Sequence, residues 1–271
     1  MTLYHYTTAA GLQGIIASKS LWTSNYQFLN DTSEFRYGWK IVVDAFDRRE
    51  AEIKDRSSFA WQTYELFMRN RDKAYAFVGS LTSQGDLLSQ WRGYNRGQGF
   101  AIGFNEDWLE QNAVVQKFDI SRVLYDADEQ RAAADTTVDL LIQQLADSEA
   151  EPTTVLERIN TWQVQAVKTA LRLKDRHFSE EKEFRLVWAG HSWPVRLKTR
   201  ISSTGLIPYQ AFQFDLATTK SALPHPNNFG VEEIIVGPAL GQQQVIAVEA
   251  LLASQSMRLA IRRSAIPYVA D

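Results

Sequence analysis

The chain contains no cysteine, which removes thiol catalysis, disulfide staples and thiolate metal sites together. An excess of one charge is also lacking: 29 lysine and arginine residues stand against 32 acidic ones, for a formal net charge of −3. That balance sets up no whole-protein basic field to draw the molecule onto nucleic acid, although a short single-stranded target needs only a few stacking and basic residues. No apolar run approaches the length of a bilayer span, and Met1-Thr2-Leu3-Tyr4-His5 shows no basic region followed by an apolar stretch, so a soluble cytoplasmic protein with no membrane partner is expected. Linkers rich in Pro, Gly or Ser, internal repeats and low-complexity tracts are absent too, and residues 1–271 read as a single domain. Of the four histidines, His177, His191 and His225 show no ligand spacing, and no Ser-His-Asp triad follows from spacing alone. No metal is expected.

What is present is a 45% hydrophobic, 12% aromatic chain with eight tryptophans, enough for one sizeable core. Strand-like runs recur at Leu3–Tyr6, Leu21–Ser24, Ala74–Leu81, Gly99–Phe104, Arg122–Tyr125, Glu183–Trp188, Ala211–Asp215, Glu232–Val236 and Arg258–Arg262. Helical patterns lie between them. Thr8 can cap a helix carrying Leu12, Ile15 and Ile16, and Asp31 to Glu34 has capping-box spacing before Phe35, Trp39, Val42 and Phe46. A helical insertion spans about residues 129–178, with Val138, Leu141 and Ile142 and then Val155, Ile159, Trp162 and Ala166 on apolar stripes. The class is α+β, built on bent or split sheets.

Glu181-Lys182-Glu183-Phe184-Arg185 carries the most chemistry. Read as a strand, it turns Glu181, Glu183 and Arg185 to one side, with the two carboxylates about 7 Å apart. Two like charges so placed are costly to bury without purpose, which makes them a candidate acidic site. The same residues read equally as the solvated last turn of a helix over Ala166–Phe178. In the first strand His5 and Thr7 share a face and offer two directed hydrogen bonds, although a lone histidine is more often a satisfied structural residue. Asn25 and Asn30 flank a helix start where free amide donors suit an anion, while Asp31 reads as a cap. Ser80 ends a strand, and Trp91 and Tyr94 lie three apart on the next helix, as core or as a stacking platform. Gly97, Gly99 and Gly103 have the wrong spacing for a dinucleotide fingerprint and read as turn and packing residues. Arg200 with Ile207-Pro208-Tyr209 reads as a strand-end turn.

In their order, Leu3-Tyr4-His5-Tyr6-Thr7, Leu21-Trp22-Thr23-Ser24-Asn25, Leu29-Asn30-Asp31-Thr32-Ser33-Glu34-Phe35, Ser80-Leu81-Thr82, Trp91 with Tyr94, Gly99–Phe104, Glu181–Arg185 and Ile235-Val236-Gly237-Pro238 resemble the bacterial domain-of-unknown-function family 2971. That family in turn resembles ADP-ribosyltransferases, whose split sheet clasps NAD. The resemblance implies NAD as substrate, with His5 and Thr7 on the nicotinamide-side ribose, Ser80, Trp91 and Tyr94 lining the pocket, and Glu183 as catalytic glutamate. Glu181 matches the upstream member of a Glu-x-Glu pair and would be the base. By residue type Arg185 can neutralise the pair, hold a phosphate, or equally anchor the strand by a salt bridge. The resemblance further implies a toxin or antiphage effector, a protein or nucleic-acid acceptor, and an antitoxin or effector partner. Tyr6 and Thr7 depart from the His-Gly opening of the eukaryotic polymerases of that superfamily. Two other readings stay open: a nucleotide-binding or partner-binding domain without turnover, and a carboxylate-based nucleoside or glycoside hydrolase, which also needs two acids.

Overall fold

The computed structural model describes residues 1–29, 33–49, 75–93, 97–145, 151–202, 205–214 and 228–267. Asn30, Tyr94 and the Asp31 cap fall outside the described residues. The protein is mixed α+β, and among the described residues ten strands are hydrogen-bonded into one large open sheet. The strands are β1 (Thr2–Thr7), β2 (Ser20–Asn25), β3 (Tyr75–Thr82), β4 (Phe100–Asn105), β5 (Asp119–Arg122), β6 (Glu183–Gly190), β7 (Leu197–Ser202), β8 (Gly205–Gln213), β9 (Val231–Val236) and β10 (Ala260–Arg263). Their main order is β10-β9-β4-β1-β3-β2-β8-β7, with β6 and β5 branching from β3. Only β9 and β10 run parallel; the other pairs are antiparallel.

Helices cover both faces because the strands alternate two apolar sets. One set, with Leu3, Leu21, Leu81, Ile102, Leu186 and Ile234, packs under α1 (Ala9–Ser18), α4 (Glu106–Gln116) and α7 (Gln243–Ser254). Thr8 accepts from the Gly11 amide and Asn105 from the Trp108 amide, so α1 and α4 start on side-chain caps. The other set, with Ala76, Val78 and Val187, meets Trp39 and Val42 of α2 (Ser33–Arg49), Val138 and Leu141 of α5 (Ala127–Leu145) and Trp162 and Ala166 of α6 (Pro152–Ala170). Gly38 is required there: a Cβ on it would lie 2.0 Å from the Ala170 carbonyl oxygen. This close approach fixes the start of α2 over the end of α6. The helical stretch read as an insertion is therefore a layer on the sheet, with its own stripe buried against α2. A short helix α3 (Leu88–Gly93) covers the β1/β4 side through Trp91. Among the described residues no helix is long and apolar enough to cross a membrane.

Four differences from the expected boundaries bear on the argument. The strand expected at Arg122–Tyr125 ends at Arg122, because Val123 donates to the Glu183 carbonyl and Leu124 pairs with Leu173 instead. Helix α6 ends at Ala170, and Leu173 runs extended beside Leu124. Ile207-Pro208-Tyr209 lies inside β8; Pro208 falls just beyond the last β2 pairing, Ser24 with Tyr209, so its missing N–H interrupts no bond to that strand. Finally, β6 starts at Glu183: Glu181 closes a 3-10 turn (Arg176–Glu181), and Lys182 between them adopts a left-handed φ of 43°.

Candidate functional site

The sheet forks at β3. On one edge β3 pairs with β6 along its length, from Tyr75 with Gly190 to Thr82 with Glu183. On the other edge it meets β1 only at Tyr4 with Thr82, and β2 only at Ser24 with Val78 and Asn25 with Phe77. Gly79, Ser80 and Leu81 line the fork, with no register partner on that edge. His5 fills the gap from β1: its Nδ1 lies 2.9 Å from the Ser80 carbonyl oxygen and must be the donor there. Burial holds this imidazole below its usual pKa, the Ser80 bond opposing, so the neutral ring keeps Nε2 as an acceptor.

On β6 the residue Glu183 is 5% exposed and Arg185 is 2% exposed. Arg185 donates to Glu183 twice, from Nε at 2.9 Å and from Nη2 at 3.1 Å, and its Nη1 donates to the Leu171 carbonyl at 2.6 Å. A further Nη2 bond goes to Glu34 at the start of α2. Lys174, also buried, sits at the centre: its Nζ is 2.7 Å from Glu181, 3.0 Å from Glu34 and 3.1 Å from Glu183. Three carboxylates and two cations thus converge from α2, the segment after α6, the 3-10 turn and β6. The Glu183 backbone N–H is taken by the Tyr125 hydroxyl at 3.1 Å. Burial pushes the Glu183 carboxyl up, but the Arg185 and Lys174 charges and bonds from Arg185 and Ser80 outweigh it and bring the pKa to about 2. Glu181 goes the other way: burial raises it, against the bond from Lys174. Burial alone would lower Lys174 and Arg185, yet the surrounding glutamates hold both above their usual values.

The residues singled out in the sequence fall into two groups. His5, Ser80, Glu181, Glu183 and Arg185 lie on three neighbouring strands and the turn entering the last of them. His5 touches the Ser80 backbone, and the Ser80 hydroxyl is one of the groups that lower the Glu183 pKa. His5 and Glu183 nevertheless approach from opposite faces, because Tyr4 is the residue level with Thr82 and Glu183. The second group is engaged elsewhere. Thr7 is buried against Gly11 of α1, and Asn25 caps the turn Tyr26–Phe28 by accepting from Gln27. Trp91 is 0% exposed, donates to Asp86 at 2.7 Å and meets the Tyr6 ring edge-on at 4.7 Å. It is a core residue and has no open face for a ligand. Arg200 reaches Ser24 from β7, with its Nε buried and unpartnered.

Lys174, the residue that ties the three glutamates together, escaped the sequence reading. Its signal is the alternation Leu171-Arg172-Leu173-Lys174, a strand-like rhythm directly after a helix. Tyr125 escaped in the same way, beyond the end of a strand. Two surface hollows flank α7 and α6, and neither is lined by His5, Ser80 or Glu183. Among the described residues no group of three His, Asp or Glu side chains is arranged to hold a metal ion.

A family model described as a protein of unknown function, DUF2971, matches residues 90–186. The match runs from α3 through the Glu181–Arg185 cluster, and over those residues the family resemblance drawn from the motifs is borne out. No curated protein and no solved structure matches the chain.

Proposed function

We propose that the protein cleaves the nicotinamide–ribose bond of NAD and passes the ADP-ribosyl group to an acceptor, with a split, bent sheet of ADP-ribosyltransferase type as its frame. The observation that carries this reading is the buried Glu183 of β6 with Glu181 beside it on Lys174, on the strand next to the one whose Ser80 carbonyl accepts from His5. It is supported by the divergent environments of two adjacent glutamates, one ionised at any working pH and the other with a raised pKa. In this reaction the C1′–N bond breaks and its electron pair goes to the nicotinium nitrogen, leaving an oxocarbenium-like ribose. Glu183 stabilises that charge and orients a ribose hydroxyl. The acceptor adds to C1′, and its proton passes to Glu181. Both oxygens of Glu183 are held by Arg185 and Lys174, so one of these contacts opens before a ribose hydroxyl reaches the carboxylate.

A second reading is favoured by one observation: Glu183 is sealed, with bonds from Arg185 and Lys174 on its two oxygens. A domain that binds a nucleotide or a partner without turnover needs no opening. Mass-spectrometric detection of nicotinamide, with and without cell lysate, separates the two. The transferase reading expects release that grows with lysate and is lost in Glu183→Gln and reduced at least tenfold in Ser80→Ala, each checked for folding by circular dichroism. Calorimetric heat on adding NAD with no nicotinamide from the folded protein supports the binding domain and overturns the transferase.

A further inference from the structure

A hollow of about 370 Å³ opens between β5 and the end of α6, on the face of the sheet that carries Glu183. Polar groups dominate it: Asp119 and Ser121 from β5, Gln165 and Lys168 from α6, and Arg172 just beyond the helix. Lys168 and Asp119 pair at 2.5 Å and cancel. Arg172 has no such relief. Its Nε is buried with no hydrogen-bond partner, and it has no ion-pair partner among the described residues. Burial, and then the neighbouring Arg122, hold this guanidinium below its usual pKa, with Asp119 opposing. Arg122 itself pairs with Glu129 at 2.6 Å.

Arg172 is partly buried on this lining with its Nε out of reach of any protein acceptor, and an anion in the hollow would supply the counter-charge that the protein does not. The planar guanidinium offers two parallel donors, the geometry that matches phosphate oxygens. Ser121 and Gln165 add a hydroxyl and an amide on the same lining. The volume lies at the lower end for small-ligand sites, roughly 300 Å³ and upward, enough for free phosphate or a nucleoside monophosphate. We propose that this hollow binds a phosphate-bearing anion through Arg172, with Ser121 and Gln165 as further donors. The site is distinct from the Glu183 cluster, which it borders through Ser121 beside Arg185, and its occupancy is read without NAD.

The test is calorimetric titration of the full chain at low ionic strength with inorganic phosphate and, separately, with AMP. The wild type is expected to bind at least one of them, Arg172→Gln to lose at least tenfold in affinity, and Arg200→Gln, at an arginine of β7 whose Nε is likewise buried without a partner, to bind as the wild type does. Phosphate alone sufficing identifies the free ion as a ligand; AMP binding without phosphate binding identifies a nucleotide. No heat from either at millimolar concentration, or unchanged binding in Arg172→Gln, overturns the proposal. Should Arg172→Gln fail to fold, Ser121→Asp decides: a carboxylate facing Arg172 must abolish binding, and retained binding by that folded variant overturns the site.

Discussion

Arg185 and Arg172 are joined through a single residue, Leu171, yet they live under opposite conditions. Arg185 donates to the Leu171 carbonyl, to both oxygens of Glu183 and to Glu34, and every nitrogen it has is spent. Arg172, the next residue along the chain from Leu171, has a buried nitrogen with nothing to bond. The difference teaches how the charge of this region is arranged. Three carboxylates surround two cations on the β6 side, while on the β5 side the single carboxylate of the hollow, Asp119, is taken by Lys168. One cluster closes on itself, and the other needs a ligand to close.

The comparison breaks most sharply at Arg185. In Arg185→Met, Glu183 and Glu34 are left with Lys174 as their remaining cation, and the Leu171 carbonyl loses its donor. Removing one partner of a buried pair costs about 3–5 kcal/mol, and urea unfolding should show that loss as a shift of the midpoint at unchanged slope. A cost below about 1 kcal/mol would mean that the cluster is hydrated and that the saturation of Arg185 is only apparent.

Acid titration tests the same cluster without a mutation. Glu183 has a folded pKa of about 2 against an ordinary 4.5. A depressed carboxyl contributes stability that is present above the unfolded pKa and lost as pH falls through the folded one, here about 3 kcal/mol between pH 4.5 and 2. Glu181 opposes this, because its raised pKa favours the protonated native state. Acidification through its folded pKa therefore adds stability before Glu183 begins to remove it. Denaturation at a series of pH values should show a shallow maximum just above the ordinary carboxylate range and a loss below it. A steady decline from neutrality, complete before pH 4.5, would place the acid-labile groups elsewhere.

Tyr125 sharpens the picture at a smaller scale. Its hydroxyl takes the Glu183 amide N–H at 3.1 Å, and burial pushes its pKa to about 12. Tyr125→Phe leaves that amide unsatisfied and should cost about 1 kcal/mol in the same unfolding assay, with faster hydrogen exchange at the Glu183 amide. Unchanged exchange would mean that the hydroxyl does not guard the first residue of β6.

Much of this was legible in the sequence, and the misses have physical causes. β1, β2, β3, β4, β6 and β9 show in the run of branched and aromatic residues, because a sheet covered on both faces demands them. β7 escaped: as an edge strand it keeps Lys198 and Thr199 exposed, and even Ile201 is 87% exposed, so no buried face imposes a rhythm. The Glu-x-Glu spacing was seen, but not that Lys182 turns left-handed and lifts Glu181 off the strand. The two carboxylates meet on Lys174, not through strand alternation. Lys174 is set by the packing of α6 against α2, with Gly38 against Ala170, and periodicity carries no record of such distant contacts. For the same reason Trp91 and Asn25, plausible ligand residues by type, are a core side chain and a turn cap.

The smallest expected effect falls on the other arginine and is the most discriminating for that reason. Arg172→Met removes a guanidinium that burial and Arg122 already disfavour, and it breaks no bond among the described residues. With no ligand present the protein should be unchanged within about 0.5 kcal/mol, or slightly more stable, since an uncompensated charge is exchanged for an apolar side chain of similar length. Added inorganic phosphate should then separate the proteins: the wild type gains stability by mass action and Arg172→Met does not. Thermal melts of both, with and without phosphate, read the two effects together. A melting temperature of Arg172→Met well below that of the wild type without phosphate would show that Arg172 is a structural cation like Arg185. The contrast between the two arginines, and with it the case for a ligand in the hollow, would then be lost.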